Sequence, residues 1–195
     1  MSDTDANALA ERYLGGKLLI ATPSIGDPRF DRAVILLCDH SDEHAMGIII
    51  NKTATGLRLP DLYQRLEVKT ECGVPDRAVL LGGPVERERG FVIHTSDFEA
   101  GGSTLPVTDE IGLTATRDAL EAIASLNPPR LSALALGFAG WGAGQREEEL
   151  AGNAWLVADP DDALVFGPEN DEKWEKALEQ IGITPEHLST LSGHA

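Results

Sequence analysis

Residues 134–158 read LALGFAGWGAGQREEELAGNAWLVA, and the reading of this stretch decides the fold. Two apolar runs, Leu131 to Phe138 and Ala154 to Ala158, flank a turn carrying Gly137, Gly140, Gly142 and Gly144, followed by a short acidic segment that opens at Gln145. The order is strand, glycine turn, short helix, strand. Glycine tolerates positive φ and close backbone approach. Trp141 is then expected at the apex, as a large amphipathic side chain on a built surface feature. The same order suits a phosphate loop, in which the N–H groups of a helix N-terminus meet an anion. However, no Lys-Ser or Lys-Thr follows, and GWGAGQ lacks the G-x-G-x-x-G spacing. Glu147, Glu148 and Glu149 already place negative charge in the first turn of the helix, which suits its dipole and repels phosphate. A structural turn is the stronger reading.

On the N-terminal side, Lys17 to Thr22 reads as a strand, and Pro23, Gly26, Asp27 and Pro28 break the chain into a loop. Ala33 to Asp39 and Met46 to Lys52 are apolar without alternation, as expected of strands covered on both faces. The link from His40 to Ala45 makes them an antiparallel hairpin. Pro60 is placed to open a helix through Leu66. Ala78 to Leu81 and Gly90 to Thr95 read as a second strand pair around GGPVERER, with an edge strand at Thr104 to Thr108. Ala119, Ile123 and Leu126 mark a helix from about Thr116 to Leu126. On the C-terminal side, Asp159-Pro160-Asp161-Asp162 opens a short segment holding Ala163 to Phe166. Asn170 is expected to cap a helix with an apolar stripe of Trp174, Leu178 and Ile181 that ends at Gly182, and Thr184-Pro185 starts another. Residues 6–14 suggest a short helix, so the chain divides into a helical extension, 1–13, and a single domain, 14–195.

Net charge is the unusual feature of the composition: −16 over 195 residues, with 12 of the 32 acids but only Arg146, Lys173 and Lys176 among bases after residue 145. Such a field repels phosphate backbones, so direct nucleic-acid binding is disfavoured unless folding gathers Arg58, Arg65, Arg77, Arg87 and Arg89. No run approaches the roughly 20 apolar residues that span a bilayer, and the N-terminus lacks a basic signal region, so a cytoplasmic protein is expected. Cys38 lies in an apolar run and reads as a buried small hydrophobe. Cys72 lies in a polar connection with no activating neighbour, which leaves a redox thiol as the sharper alternative.

The sharpest catalytic string is His40-Ser41-Asp42-Glu43-His44, which matches H-x-x-E-H. Zinc peptidases place those histidines four apart on one helix face. Here the string occupies a short link between strands, where no adequate helix fits, and a solvated hairpin loop is the better reading. His40 and His44 are thus weak metal candidates, and no metal or other cofactor is expected. His94 ends the strand FVIH and reads as a packed, hydrogen-bonded histidine. No Ser, His and acid form a nucleophile elbow.

Several blocks together are more specific than any of these motifs. KLLIATPSIGDPRFDRAVILLCDHSDEHAMGIIINK, GGPVERERGFVIHT, GFAGWGAGQREEELAGNAWLVAD and the tail KWEKALEQIGI with SGHA resemble the YqgE/AlgH family over residues 14–195. The resemblance implies one compact α+β domain, a bifurcated mixed β-sheet with a small barrel-like portion, flanked by helices. It also carries the label of a transcriptional regulator, through a link to alginate production in pseudomonads, with no biochemical activity established and no catalytic residues to carry over. His40 falls on the acid-His pair of the family pattern and His44 on a variable place, which weakens the zinc reading further. Asn51, Arg89, Gln145 and Asn153 fall on motif positions and are polar, so packing explains them less readily than it explains the glycines.

The expected function is therefore a non-enzymatic binding or regulatory protein that acts through an unknown protein or small ligand. Trp141, Gln145, Asn153, Arg89 and Asn51 are the expected contact residues, and Trp141→Ala is expected to weaken partner capture in an intact fold. A metal-dependent hydrolase built on His40, Glu43 and His44, and a direct DNA-binding regulator, are the alternatives.

Overall fold

The computed structural model describes residues 14–191; the helical extension expected over 1–13 lies outside the described residues. In chain order the elements are β1 (Leu18–Ala21), β2 (Val34–His40), β3 (His44–Ile49), β4 (Thr53–Arg58), α1 (Leu59–Leu66), β5 (Ala78–Leu81) and β6 (Val85–Thr95). There follow β7 (Thr104–Pro106), β8 (Ile111–Thr114), α2 (Arg117–Ile123), β9 (Ser132–Gly142), α3 (Gln145–Ala151), β10 (Trp155–Ala158), α4 (Asp162–Phe166), α5 (Lys173–Gln180) and α6 (Pro185–Leu191). The fold is α+β, with a curled sheet forming a half-barrel and helices packed against it.

The long strand β9 is the branch point. The main path runs β10-β1-β2-β3-β9-β6-β8-β7, and β5 joins β9 from the side with β4 beyond it. β6 pairs antiparallel with β9 from Val85↔Phe138 to His94↔Ser132. On the other edge β5 pairs parallel, Leu80↔Ala135 and Leu81↔Leu136, before β3 takes over antiparallel at Gly47↔Ala139. The change of partner falls at Gly137, which has φ 73°. A Cβ on Gly137 would lie 2.6 Å from the Gly83 carbonyl oxygen, and one on Gly82 2.3 Å from the Gly137 oxygen. Two glycine segments thus cross in backbone contact, which no side chain permits. The bifurcated, mixed sheet follows from that crossing.

The hairpin of β2 and β3 lies inside this sheet, as the unbroken apolar runs predict. Leu36, Cys38, Ile48 and Ile50 face one core with Trp174 and Leu178 of α5, whereas Ile35, Leu37 and Ile49 face a second core with Trp141 and Trp155. Each strand is covered on both faces, so alternation has no role there. The link is tighter than expected. Pairing reaches His40↔Ala45, and the Ser41 N–H donates to the His44 carbonyl at 2.8 Å, leaving only Ser41–Glu43 outside the strands.

Three local expectations need correction. β5 and β6 do not pair with each other; each pairs with β9, on opposite edges. The polar segment Thr53–Arg58, where no element was expected, is a strand, because its partner β5 supplies hydrogen bonds that its own side chains do not announce. Asn170 does not cap α5: it opens a 3₁₀ turn, Asn170–Glu172, and its Nδ2 donates to Pro168 O at 3.3 Å. Among the described residues, no helix is long and apolar enough to cross a membrane.

Candidate functional site

At the conspicuous glycine-rich stretch, β9 continues through Gly142, so the turn itself shrinks to Ala143 and Gly144. Trp141 consequently occupies a strand position paired with Ala45 and points inward, 5% exposed, instead of crowning an apex. Its ring meets Trp155 edge-on at 6.0 Å. Glu149 of α3 clamps both indoles: Trp141 Nε1 donates to Oε2 at 2.9 Å and Trp155 Nε1 to the same oxygen at 2.6 Å. Gln145 Nε2 donates to Glu149 Oε1 at 3.1 Å, and Gln145 Oε1 accepts from the Gly142 N–H at 3.3 Å. Asn153 has φ 55° just after α3, and its carbonyl accepts from Thr22 Oγ1 at 2.6 Å. The structure thus gathers Trp141, Gln145 and Asn153 about one helix, with the Trp141 and Gln145 side chains and the Asn153 backbone carbonyl bonded within the fold.

The other two expected contact residues lie elsewhere. Asn51 Oδ1 accepts from Val34 N and its Nδ2 donates to Arg32 O, both at 2.8 Å, which holds the turn where Arg32 has φ 50°. Arg89 sits on the irregular part of β6, pairs with Glu86 at 3.0 Å and lies over the Phe91 ring at 5.2 Å.

The histidines of the pentad separate across the hairpin. The His40 ring is 6% exposed, with Nδ1 accepting from Leu14 N at 3.3 Å and Nε2 lying 3.6 Å from Glu147 Oε1. Burial lowers its pKa, and the neighbouring Arg146 guanidinium lowers it further. Arg146 is itself buried and paired with Glu147, while its Nε and Nη1 have no hydrogen-bond partner among the described residues. His44 is exposed and bonds Ser41 Oγ at 3.0 Å and Asp39 Oδ2 at 3.1 Å. Among the described residues, no three His, Cys, Asp or Glu side chains gather into a metal-binding group. His94 is fully buried between Thr95 O at 2.9 Å and Thr114 Oγ1 at 2.8 Å. Cys38 is buried with its pKa pushed up to about 12, and Cys72 is exposed with Sγ donating to Ser125 O at 3.1 Å.

None of these side chains lines a cavity of about 360 Å³ between the start of α1, the first residues of β9 and the turn before α5. Leu59, Leu80, Leu134 and Val165 make apolar wall; Arg58, Arg77, Asn170 and Lys173 bring polar groups to it. Arg58 is spent on Asp76, with Nε donating to Oδ1 at 2.7 Å. Among the described residues Arg77 meets only neutral oxygen, its Nη1 donating to Ser132 O at 2.9 Å. Lys173 is 2% exposed, and its Nζ donates to Ile50 O at 2.8 Å and Val165 O at 3.5 Å. Among the described residues no carboxylate pairs with it. Burial pushes its pKa down to about 8, against the opposing pull of Glu169. The Asn170 Oδ1 is buried without a hydrogen-bond partner among the described residues, and the Nδ2 bond to Pro168 O identifies this end as an acceptor. An apolar cleft with a few convergent, underused polar groups is the usual form of a small-molecule site.

The chain matches the AlgH-like family model over residues 18–186. The chain belongs to the AlgH-like family. It is 53% identical over 184 residues to a UPF0301 protein of Caulobacter vibrioides, covering 94% of each chain. A UPF0301 protein of Rhodopseudomonas palustris is 50% identical over 190 residues, covering 94% of this chain and 87% of the other. The solution structure of AlgH from Pseudomonas aeruginosa superposes with TM-score 0.73 at 37% identity, covering 94% of this chain and 95% of that one. A protein from Corynebacterium diphtheriae shares the fold at TM-score 0.71 and 19% identity, over 89% of this chain and 90% of that one. The block resemblance holds, and so does the α+β fold with a barrel-like portion expected from it, found as a half-barrel.

Sequence reasoning passed over Lys173 and Glu149. Lys173 shares a helix face with Ala177 and Ile181, at steps of four, so a lysine on an apolar stripe was the available signal. Glu149 stands four residues after Gln145, but nothing local ties it to the two indoles it bonds.

Proposed function

We propose that this AlgH-like chain is a non-catalytic binding protein that acts in regulation by holding a small organic anion in the cavity at Lys173. The carrying observation is the buried Lys173 ammonium, which lines the cavity without a carboxylate partner in a chain of net charge −16. Burying an unpaired charge is costly, and a ligand carboxylate or phosphate supplies the counter-charge. Arg77, bonded only to neutral oxygen, adds a second cation at the same wall. Asn170 Oδ1 calls for a hydroxyl or amide N–H on the ligand, and the leucine wall for an apolar part. The regulatory element of the reading rests on the transcriptional-regulator label that the family resemblance carries.

Direct DNA binding receives less support, because the arginines that it needs are divided. Arg58 and Arg77 line this cavity, Arg65 and Arg87 line a separate groove, and Arg89 pairs with Glu86.

Thermal unfolding with a panel of hydroxy- and amino-substituted carboxylates and phosphomonoesters tests the proposal. A member of the panel should raise the midpoint of the intact chain at submillimolar concentration and lose that effect in Lys173→Met. No midpoint shift across the panel, or a shift that Lys173→Met leaves unchanged, overturns it.

A further inference from the structure

A second concavity shares only Leu134 with the lining of the first. It lies where α1 and α2 stand over the β6–β9 part of the sheet, and its volume is about 430 Å³. Its wall is aliphatic: Leu57, Leu62, Leu66, Val92, Leu120 and Leu136 line it, and no aromatic ring does. Leu66 at the rim is 45% exposed and extends this aliphatic wall to the surface.

The charges around this wall are mostly of one sign. Arg65, Arg87 and Arg117 line it, against Glu88 alone, in a chain where acids outnumber bases two to one. Arg117 is tied down, with Nη2 donating to Leu66 O at 3.2 Å and Nε to Glu121 at 3.4 Å. Arg65 and Arg87 form no ion pair among the described residues. Thr116 Oγ1, also in the lining, is buried and lacks a hydrogen-bond partner among the described residues.

We infer that this groove binds a free single-chain aliphatic carboxylate, a fatty acid of medium length. The tail lies along the leucine wall, and the carboxylate meets Arg65 and Arg87, with Thr116 Oγ1 free to donate. Aliphatic wall and cationic rim are the two halves of such an amphiphile. A polypeptide fits less well: its amide groups would face hydrocarbon unpaired, and the wall offers none of the aromatic anchors on which protein interfaces rely.

Titration calorimetry of the full chain at low salt tests this with octanoate, decanoate, decanol and an acidic, leucine-containing peptide. Decanoate should saturate one site. Its affinity should exceed that of octanoate by about fifteenfold, since each of the two extra methylenes contributes about fourfold when buried. The double variant Arg65→Ala/Arg87→Ala, altered at two exposed unpaired positions, should weaken decanoate about fivefold and leave decanol unchanged. Leu66→Glu, at a position already half in solvent, should weaken both. No saturable decanoate binding below the millimolar range overturns the inference. So does binding indifferent to both variants, or an acidic peptide that binds more tightly and displaces decanoate.

Discussion

The glycine-rich stretch and the lysine cavity differ in opposite senses. Around α3, the residues that stand out in the sequence are consumed by the fold: two indoles and a glutamine share one carboxylate, and Asn153 closes on Thr22. Around the cavity, the residues look ordinary in sequence, and the fold leaves them underused: Lys173 without a carboxylate, Asn170 Oδ1 without a donor. Polar groups bonded within the chain hold it together, and a buried group left short of partners is the better mark of where something else binds.

The largest effect that separates the two regions is expected from Trp141→Ala. Removing a buried indole from the second core should cost about 3–5 kcal/mol, read by denaturant unfolding. A loss below about 1 kcal/mol would mean that Trp141 is a surface residue after all, and would restore the expected apex.

Lys173 gives a smaller effect with a defined sign. Its folded pKa is about 8 and its ordinary value 10.5, so between those limits the unfolded chain binds more protons. Its contribution to stability is then fully present above 10.5 and lost as pH falls through about 8. The intact chain should gain roughly 2 kcal/mol relative to Lys173→Met between pH 8 and 10, by denaturant unfolding at each pH. A difference that stays flat with pH would show that the ammonium is solvated, and the contrast with α3 would fail.

The smallest effect belongs to Arg89→Ala. The Arg89–Glu86 pair is half exposed, so stability should change by no more than about 0.5 kcal/mol. A larger loss would place Arg89 among the structural residues with Asn51.

Much of the fold was legible beforehand, for physical reasons that differ by region. β2 and β3 were readable because burial on both faces removes alternation, and α5 because Trp174 and Leu178 repeat with the helical period. β4 was not, since its polar residues are held by a neighbour distant in sequence. The candidate site was less legible still. Its charged residues come from the start of α1, the segment before β5 and the start of α5, and no local pattern links Arg77 to Lys173.

The sequence by itself determined the family, the two-faced central hairpin and the glycines that let the chain cross itself at Gly82 and Gly137. Those depend on local hydrophobicity and on the absence of a Cβ, which are properties of single residues and their near neighbours. Tertiary structure alone decided that Trp141 is interior, that Glu149 bonds two indoles, and that Lys173 is buried with no carboxylate bonded to it among the described residues. Burial and pairing are relations between distant segments, and they exist only once β9 has brought its three neighbours together.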